Sequence, residues 1–510
     1  MKKHTLQFLM TLLLLMVWQG DLMAQVITKY LQKDFGAYAN GITHDDTAFI
    51  RASHFFNDSI NYTGGQTGKL IIESTVYDEV LNSYSNIPAN YLVGIQLKKN
   101  TSVTIDGEVF TNNLYLLKSL PLLALKSNVN GLTIQTDNTI NKPIIKYADS
   151  LYFGAFAPPN YTFGIFSVNC NTTNPCVYVA PNPASNVPSI NCSTCNCDCD
   201  INVAGNQYKA IDTFAIYANN TNNIEYLPPT FLPYGQTNYG TACELGTTFY
   251  INGAKNITIK NIEINGNNIN LKWGSTWDDT GIQLHHRGIL ILGDNLIPQN
   301  IKIENMYIHH MGLDGIETSS RSNGLTLKNC VFEYNARQGF SWTGGDNVFA
   351  DSCKFNHTGQ AWSNTSTTAT RLHSKPGAGI DIEPQTGSYC NNGLFTHCEF
   401  ENNVGLGIND ASVQGNVRTK NFTFSNCKVV DIDDWGIWCR GDDYTFDSCK
   451  IYCKVTNIGY GDSAGTETKF LNCEFEDKPY NSVAMQNGLL LEIEAKRALF
   501  KNCTFKVNDS

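Results

Sequence analysis

Glu317 and Asp381 each fall two positions past a recurring glycine, and Glu383 four past, in this 510-residue sequence, which makes them its first candidates for chemistry. Two carboxyl groups flanking a glycosidic bond are what glycoside hydrolysis requires, one as acid and the other as base or nucleophile. Arg337, in NARQGF, supplies a fixed cation that would hold one carboxylate ionised and separate the two pKa values. Two long segments accompany them. One, from Ile262 to Gly288, carries Trp273, Trp277, Asp278, Asp279, His285, His286 and Arg287; the other, from Cys353 to Gly379, carries Trp362, Arg371, His373 and Lys375. Trp rings suit the faces of sugars. Trp273, Trp277, Ser341, Trp362, His373, Lys375, Asn409 and Arg440 are therefore the substrate-binding candidates. Taken singly, each carboxylate reads as solvated surface; their clustering beside two loops is what points to a site. Asp381 and Glu383 also suit Ca2+, a hard cation that prefers oxygen ligands. His285-His286 and His309-His310 lack zinc spacing and read as surface.

The elements that must position these groups are repeats. LKNCVF, ADSCKF, THCEF, SNCKV, DSCKI, LNCEF and KNCTF place Cys330, Cys353, Cys398, Cys427, Cys449, Cys473 and Cys503. A glycine followed by an apolar residue alternates with them, at Gly315, Gly339, Gly379, Gly407, Gly436, Gly459 and Gly488. The interval is nine positions for Cys330–Gly339, Cys398–Gly407 and Cys427–Gly436. A period of roughly 22–30 residues, built from short β-branched and aromatic runs, marks a solenoid whose units must stack to bury their apolar faces. The expectation is an all-β parallel β-helix, one coil per repeat, over residues 246–510.

Side chains alternate along a strand. With the residue after each column glycine inward, Ile289, Ile316, Phe340, Ile380, Ile408 and Ile437 line the core. The next outward column reads Leu290, Glu317, Ser341, Asp381, Asn409, Trp438; the one beyond it reads Leu292, Ser319, Thr343, Glu383, Ala411, Arg440. Stacked strands lie about 4.8 Å apart, so Glu317 and Asp381 fall roughly 9–10 Å apart on an exposed sheet, the wider spacing of an inverting enzyme. The same alternation turns Asp314 and Asp410 inward or into turns. Two coils carry 26 positions between their columns instead of nine, and their loops are expected to wall a cleft over Glu317 and Ser341, about 14 Å wide.

Hydrophobic residues make up 42% of the chain, enough for a large core. The net charge of −10 argues against a nucleic-acid partner or an anionic membrane. Residues 1–24 read as a secretory signal, with Lys2 and Lys3 before the apolar LQFLMTLLLLMVW and a cut after Ala24. No later segment is long and apolar enough to span a bilayer; the signal is what places the mature chain in the periplasm, at the cell surface or outside. Of the 17 cysteines, the seven repeat thiols read as a buried column, with bridges between rungs as the alternative. Cys170, Cys176, Cys192, Cys195, Cys197 and Cys199 read as disulfide staples or, second, a metal site. They lie in residues 150–245, an Asn-, Pro- and Cys-rich insertion; no separate module is expected after the last repeat.

Residues 25–149 are expected to hold the cap and the first coils. Asp45 or Asp46 can cap a helix carrying Ala48, Phe49, Ala52 and Phe56 on one side, a lid for the open end of the coil. Strands follow at Gly68–Val80, Ile95–Phe110 and Asn130–Thr136. DFGAYANGITHDDTAF, with the later GKLIIE, resembles the opening motif of the pectate-lyase-like β-helix superfamily, D-F-G-A-x-x-D-G-x-x-D-D-T, with Asn40 where Asp is usual. The resemblance implies a right-handed coil and a secreted protein that acts on a polysaccharide. It covers most of the chain outside residues 150–245 and speaks for fold, since lyases, hydrolases, epimerases and tailspikes share it. GLDG, Gly312–Gly315, resembles the first motif of polygalacturonase-like hydrolases and keeps its Asp as Asp314; the D-D and R-I-K motifs of that group are missing, as is the Y-G-F-D-P-H of alginate epimerases. The expected function is an exported glycan-active hydrolase using Glu317 and Asp381, tuned by Glu383 and Arg337, with no required cofactor. The alternatives are a Ca2+-assisted lyase on a uronate polymer and a non-catalytic, glycan-binding or adhesive β-helix.

Overall fold

The computed structural model describes residues 25–40, 45–73, 121–137, 142–156, 245–273, 285–293, 296–319, 321–365, 371–385, 387–410, 418–430, 436–456, 467–477, 491 and 498–507, and the backbone of short strands elsewhere. The expected signal, residues 1–24, lies outside the described residues. Three long parallel sheets of 12, 11 and nine strands run the length of the coil. Each full coil gives one strand to each sheet. Asn323–Lys328, Val331–Glu333 and Gln338–Trp342 make one such coil, and each pairs in parallel with its counterpart one coil on.

Two features of the repeat phrase now have causes. The residue before each column cysteine turns the corner in the left-handed region: Asn329, Ser352, His397, Asn426, Ser448, Asn472 and Asn502 have φ between 51° and 56°. Asn tolerates that conformation best among residues with a side chain. The glycine column is fixed by close approach. A Cβ on Gly315 would lie 2.7 Å from the Gly339 carbonyl oxygen, and one on Gly339 2.6 Å from that of Gly379. Further asparagines stack outside: Asn347 donates to Asn323 at 2.7 Å, Asn392 to Asn347 at 3.1 Å and Asn421 to Asn392 at 2.8 Å.

Inside, Phe395, Phe424, Phe446, Phe470 and Phe500 stack at centroid spacings of 4.9–5.0 Å. Burying each such ring contributes about 2–3 kcal/mol. The repeat cysteines form a column of free thiols, buried except for the half-exposed Cys503. Cys330, Cys398, Cys427, Cys449, Cys473 and Cys503 point Sγ–H at a carbonyl of the neighbouring coil, as Cys330 does to Ile303 at 3.3 Å. Bridging between rungs is therefore not the arrangement.

The helix Asp46–Asp58 closes one end and buries Ala48, Phe49, Ala52 and Phe56. It docks on the edge strand Leu123–Leu125: Ser53 accepts from the Ala124 N–H at 3.0 Å, and Asn57 donates to the Ala124 carbonyl at 2.8 Å. Asp45 stands at the N-cap position but does not cap. Its carboxylate turns back to accept from the Tyr38 and Ala39 N–H groups.

The stretch read as a coil strand at Ile95–Phe110 is placed differently. Val93–Lys99 and Thr101–Asp106 form an antiparallel hairpin outside the three long sheets. Period-two alternation is common to both kinds of sheet, so pattern alone could not separate them. Strands between Phe166 and Leu227 pair antiparallel, in contrast to the coils; the side chains of the cysteine cluster lie outside the described residues. Among the described residues, no helix is long and apolar enough to cross a membrane.

Candidate active site

The nine-stranded sheet carries the site. Its register places Leu290, Glu317, Ser341, Asp381, Asn409 and Trp438 side by side on successive strands. Their neighbours Ile289, Ile316, Phe340, Ile380, Ile408 and Ile437 are wholly buried in the core. Glu317 and Asp381 thus share one face two rungs apart. That face is covered, contrary to the expectation of an exposed sheet: Glu317 is 6% exposed and Asp381 1%, while Glu383 two residues on is exposed.

Asp314, expected inward or in a turn, is wholly buried and joins the same cluster. Arg337 forks onto Asp314, with Nε donating to Oδ1 at 2.7 Å and Nη2 to Oδ2. Arg287 Nε lies 3.3 Å from Asp314 Oδ2 and ion-pairs with Glu317 Oε2. Arg337 Nη2 is 3.9 Å from the same Glu317 oxygen. All four groups are buried, so two cations and two anions compensate one another where water cannot. Arg287 and Gln338 are members that the sequence reading passed over. The signal was present: Arg287, Asp314 and Gln338 each precede a column glycine on three successive coils, where later coils have Ala378 and Leu406.

Asp381 is the third carboxyl. Asn409 donates to its Oδ1 at 2.7 Å, and Gln338 Nε2 contacts its Oδ2. Burial and the neighbouring charge of Glu383 push its pKa up to about 8, against the pull of Asn409 and Arg337. The carboxyl is therefore largely protonated at neutral pH. Gln338 Oε1 is buried with no partner among the described residues. Turning that amide over would let Oε1 accept the Asp381 proton, which satisfies both groups. Burial opposes the charge on Arg337, but Asp314, Glu317 and Asp381 together hold the guanidinium above its ordinary value. Asp410 does face inward, where it accepts from Thr419 at 2.7 Å and Tyr444 at 2.9 Å.

Among the described residues, the two long loops touch each other. Asn364 N–H donates to the Ile269 carbonyl at 2.7 Å, its side chain donates to Asn270 at 3.1 Å, and Thr365 Oγ1 reaches the Leu271 carbonyl at 2.5 Å. Loops of this length bend toward shared hydrogen bonds, which a spacing argument cannot see. Trp273 is pinned rather than presented: its Nε1 donates to the Asn268 carbonyl at 2.7 Å and its ring meets Phe153 edge-on. Trp277 lies outside the described residues. Trp362 is exposed, with the Arg371 guanidinium 5.4 Å from its ring. Half-buried His373 sits between the turns at Gly359 and Gly377, whereas Lys375 is exposed. Arg440 lies over the Trp438 ring at 4.5 Å.

Of the histidines read as surface, His286 is wholly buried and His309 nearly so. His286 Nδ1 accepts from the Gly312 N–H at 2.9 Å, and burial lowers its pKa to about 3, so the ring is neutral. Among the described residues, no group of three or more His, Cys, Asp or Glu is arranged to hold a metal ion.

The family profile described as "Right handed beta helix region" matches residues 247–451. The coils of this chain fold as a right-handed parallel β-helix. The β-helix is similar in architecture to the surface adhesin PfbA of Streptococcus pneumoniae, at 11% identity and a TM-score of 0.35, covering 94% of this chain and 93% of that one. It is also similar to the A-module of a mannuronan C-5 epimerase of Azotobacter vinelandii, at 11% identity and a TM-score of 0.30, covering 93% and 98%. A third likeness is to a capsular polysaccharide depolymerase, the tailspike of Acinetobacter baumannii bacteriophage Fri1, at 12% identity and a TM-score of 0.27, covering 76% and 57%. A comparison with curated protein sequences finds no match.

Proposed function

We propose that this β-helix is an exported glycoside hydrolase that uses Asp381 as general acid and Glu317 as the ionised partner. The observation that carries the reading is the contrast between two carboxyls on one sheet face. Asp381, faced by amides and the charge of Glu383, keeps its proton near neutral pH; Glu317 is paired with Arg287. Opposed environments of this kind are how two carboxyls divide acid and base work. Asp381 gives its proton to the leaving glycosidic oxygen as the bond from that oxygen to the anomeric carbon breaks. Water adds to the anomeric carbon and its proton passes to Glu317. The backbones, two rungs apart at roughly 10 Å, leave room for that water, as in an inverting enzyme. Arg337 reaches the chemistry by fixing Asp314 and through it Arg287.

A second reading rests on the burial. Carboxyls 1% and 6% exposed, in a closed network, also suit a staple inside a non-catalytic glycan-binding wall. Turnover separates the two. The protein is incubated with a glycan panel, and new reducing ends and ultraviolet-absorbing unsaturated products are both read, with and without chelator. Reducing ends lost in Asp381→Asn and Glu317→Gln support hydrolysis. Unsaturated product would mean a lyase, and binding without turnover the staple.

A further inference from the structure

We infer that the sugar ring seated at Asp381 is uncharged, so that the substrate is a neutral glycan rather than a uronate polymer. The inference rests on the proposed hydrolase site and adds the substrate class. A carboxylate-bearing sugar needs a cation free to receive it, because an uncompensated charge brought into a covered site is costly. Both guanidiniums at the site are already engaged. The fork of Arg337 is on Asp314. Arg287 faces Glu317 and Asp314 through Nε, and its Nη1 lies 2.6 Å from His285 Nδ1. Neither is more than 5% exposed.

Among the described residues, the groups that contact or adjoin Asp381 on its own sheet face are neutral or negative. Ser341 and Asn409 adjoin it on the neighbouring strands, and Gln338 stands across from it with Oε1 unpartnered among the described residues. Hydroxyls and amides of this kind complement sugar hydroxyls, which both donate and accept. Just past the strand stands exposed Glu383, an anion that already raises the pKa of Asp381. A uronate carboxylate there would face Glu383 and would hold the Asp381 proton more tightly still. Cations do occur farther off: Arg440 against Trp438 two coils on, and Arg371 and Lys375 on the loop. Arg418 is nearer, but its guanidinium donates to the Gln385 carbonyl at 2.9 Å.

The test uses the full chain and its Asp381→Asn and Glu383→Gln variants. Affinity electrophoresis is run in gels holding neutral polymers (a β-glucan, a xylan, a mannan, an α-glucan) or uronate polymers (polygalacturonate, alginate, a glucuronan). The same panel is assayed for reducing ends. The inference expects a neutral polymer to retard wild type and Asp381→Asn at least tenfold more strongly than any uronate polymer, and reducing ends from neutral polymer alone. Glu383→Gln should narrow that gap. Retardation or cleavage by a uronate polymer equal to or above the neutral ones overturns the inference while leaving the hydrolase reading standing. Retardation by neutral polymer without reducing ends upholds the neutral site and overturns hydrolysis. Failure to bind any polymer overturns both.

Discussion

Replacing Asp381 by Asn should change how the protein's stability responds to pH more than it changes stability at acid pH. An amide keeps an oxygen to accept from Asn409 and offers an NH2 to the unpartnered Gln338 Oε1, but it cannot ionise. In the folded chain the carboxyl titrates at about 8, raised by burial and by Glu383; its ordinary value is 3.8. Between those values the folded state binds more protons than the unfolded state, so stability falls as pH rises. The favourable contribution is whole below pH 3.8 and is lost progressively up to pH 8. From pH 4 to pH 7 that is about three units at about 1.4 kcal/mol each, roughly 4 kcal/mol. Asp381→Asn lacks this slope. Its stability relative to wild type should begin near zero at about pH 4, climb to roughly 4 kcal/mol by pH 7 and level off above pH 8. Urea unfolding curves for both proteins, taken at unit intervals of pH, give the difference directly. Parallel dependences from pH 4 to pH 9 would refute the claim that Asp381 is held protonated, and with it the assignment of the acid.

Three further outcomes are expected. Arg337→Ala leaves Asp314 buried without its fork and should cost about 3–5 kcal/mol in urea unfolding, whereas the apolar pair Arg337→Met with Asp314→Leu should recover most of that; equal losses would mean that the fork contributes nothing. Thiol titration without reductant should label Cys503 first and, after denaturation, all seven repeat cysteines, so a lower count among those seven contradicts the thiol column. Trp362→Ala, at a ring 48% exposed, should weaken glycan retardation yet shift unfolding by no more than about 0.5 kcal/mol. A larger loss of stability would make Trp362 a structural residue.

The sequence by itself determined the coil and the column. Cysteine and glycine phrases recur with the period of a rung, and alternation from Gly315, Gly339, Gly379 and Gly407 puts Glu317, Ser341, Asp381 and Asn409 in register, as the strand pairing places them. Those are local rules, repeated coil after coil, and a chain that obeys them has few other ways to stack. Tertiary structure alone decided the electrostatics. Whether a carboxyl keeps its proton depends on which groups surround it and how much water they exclude. Arg287, Asp314 and Arg337 come from successive coils and meet as one buried cluster. The meeting of the two loops at Asn364 and Ile269 was equally invisible, since it joins segments 95 positions apart through hydrogen bonds that no period encodes.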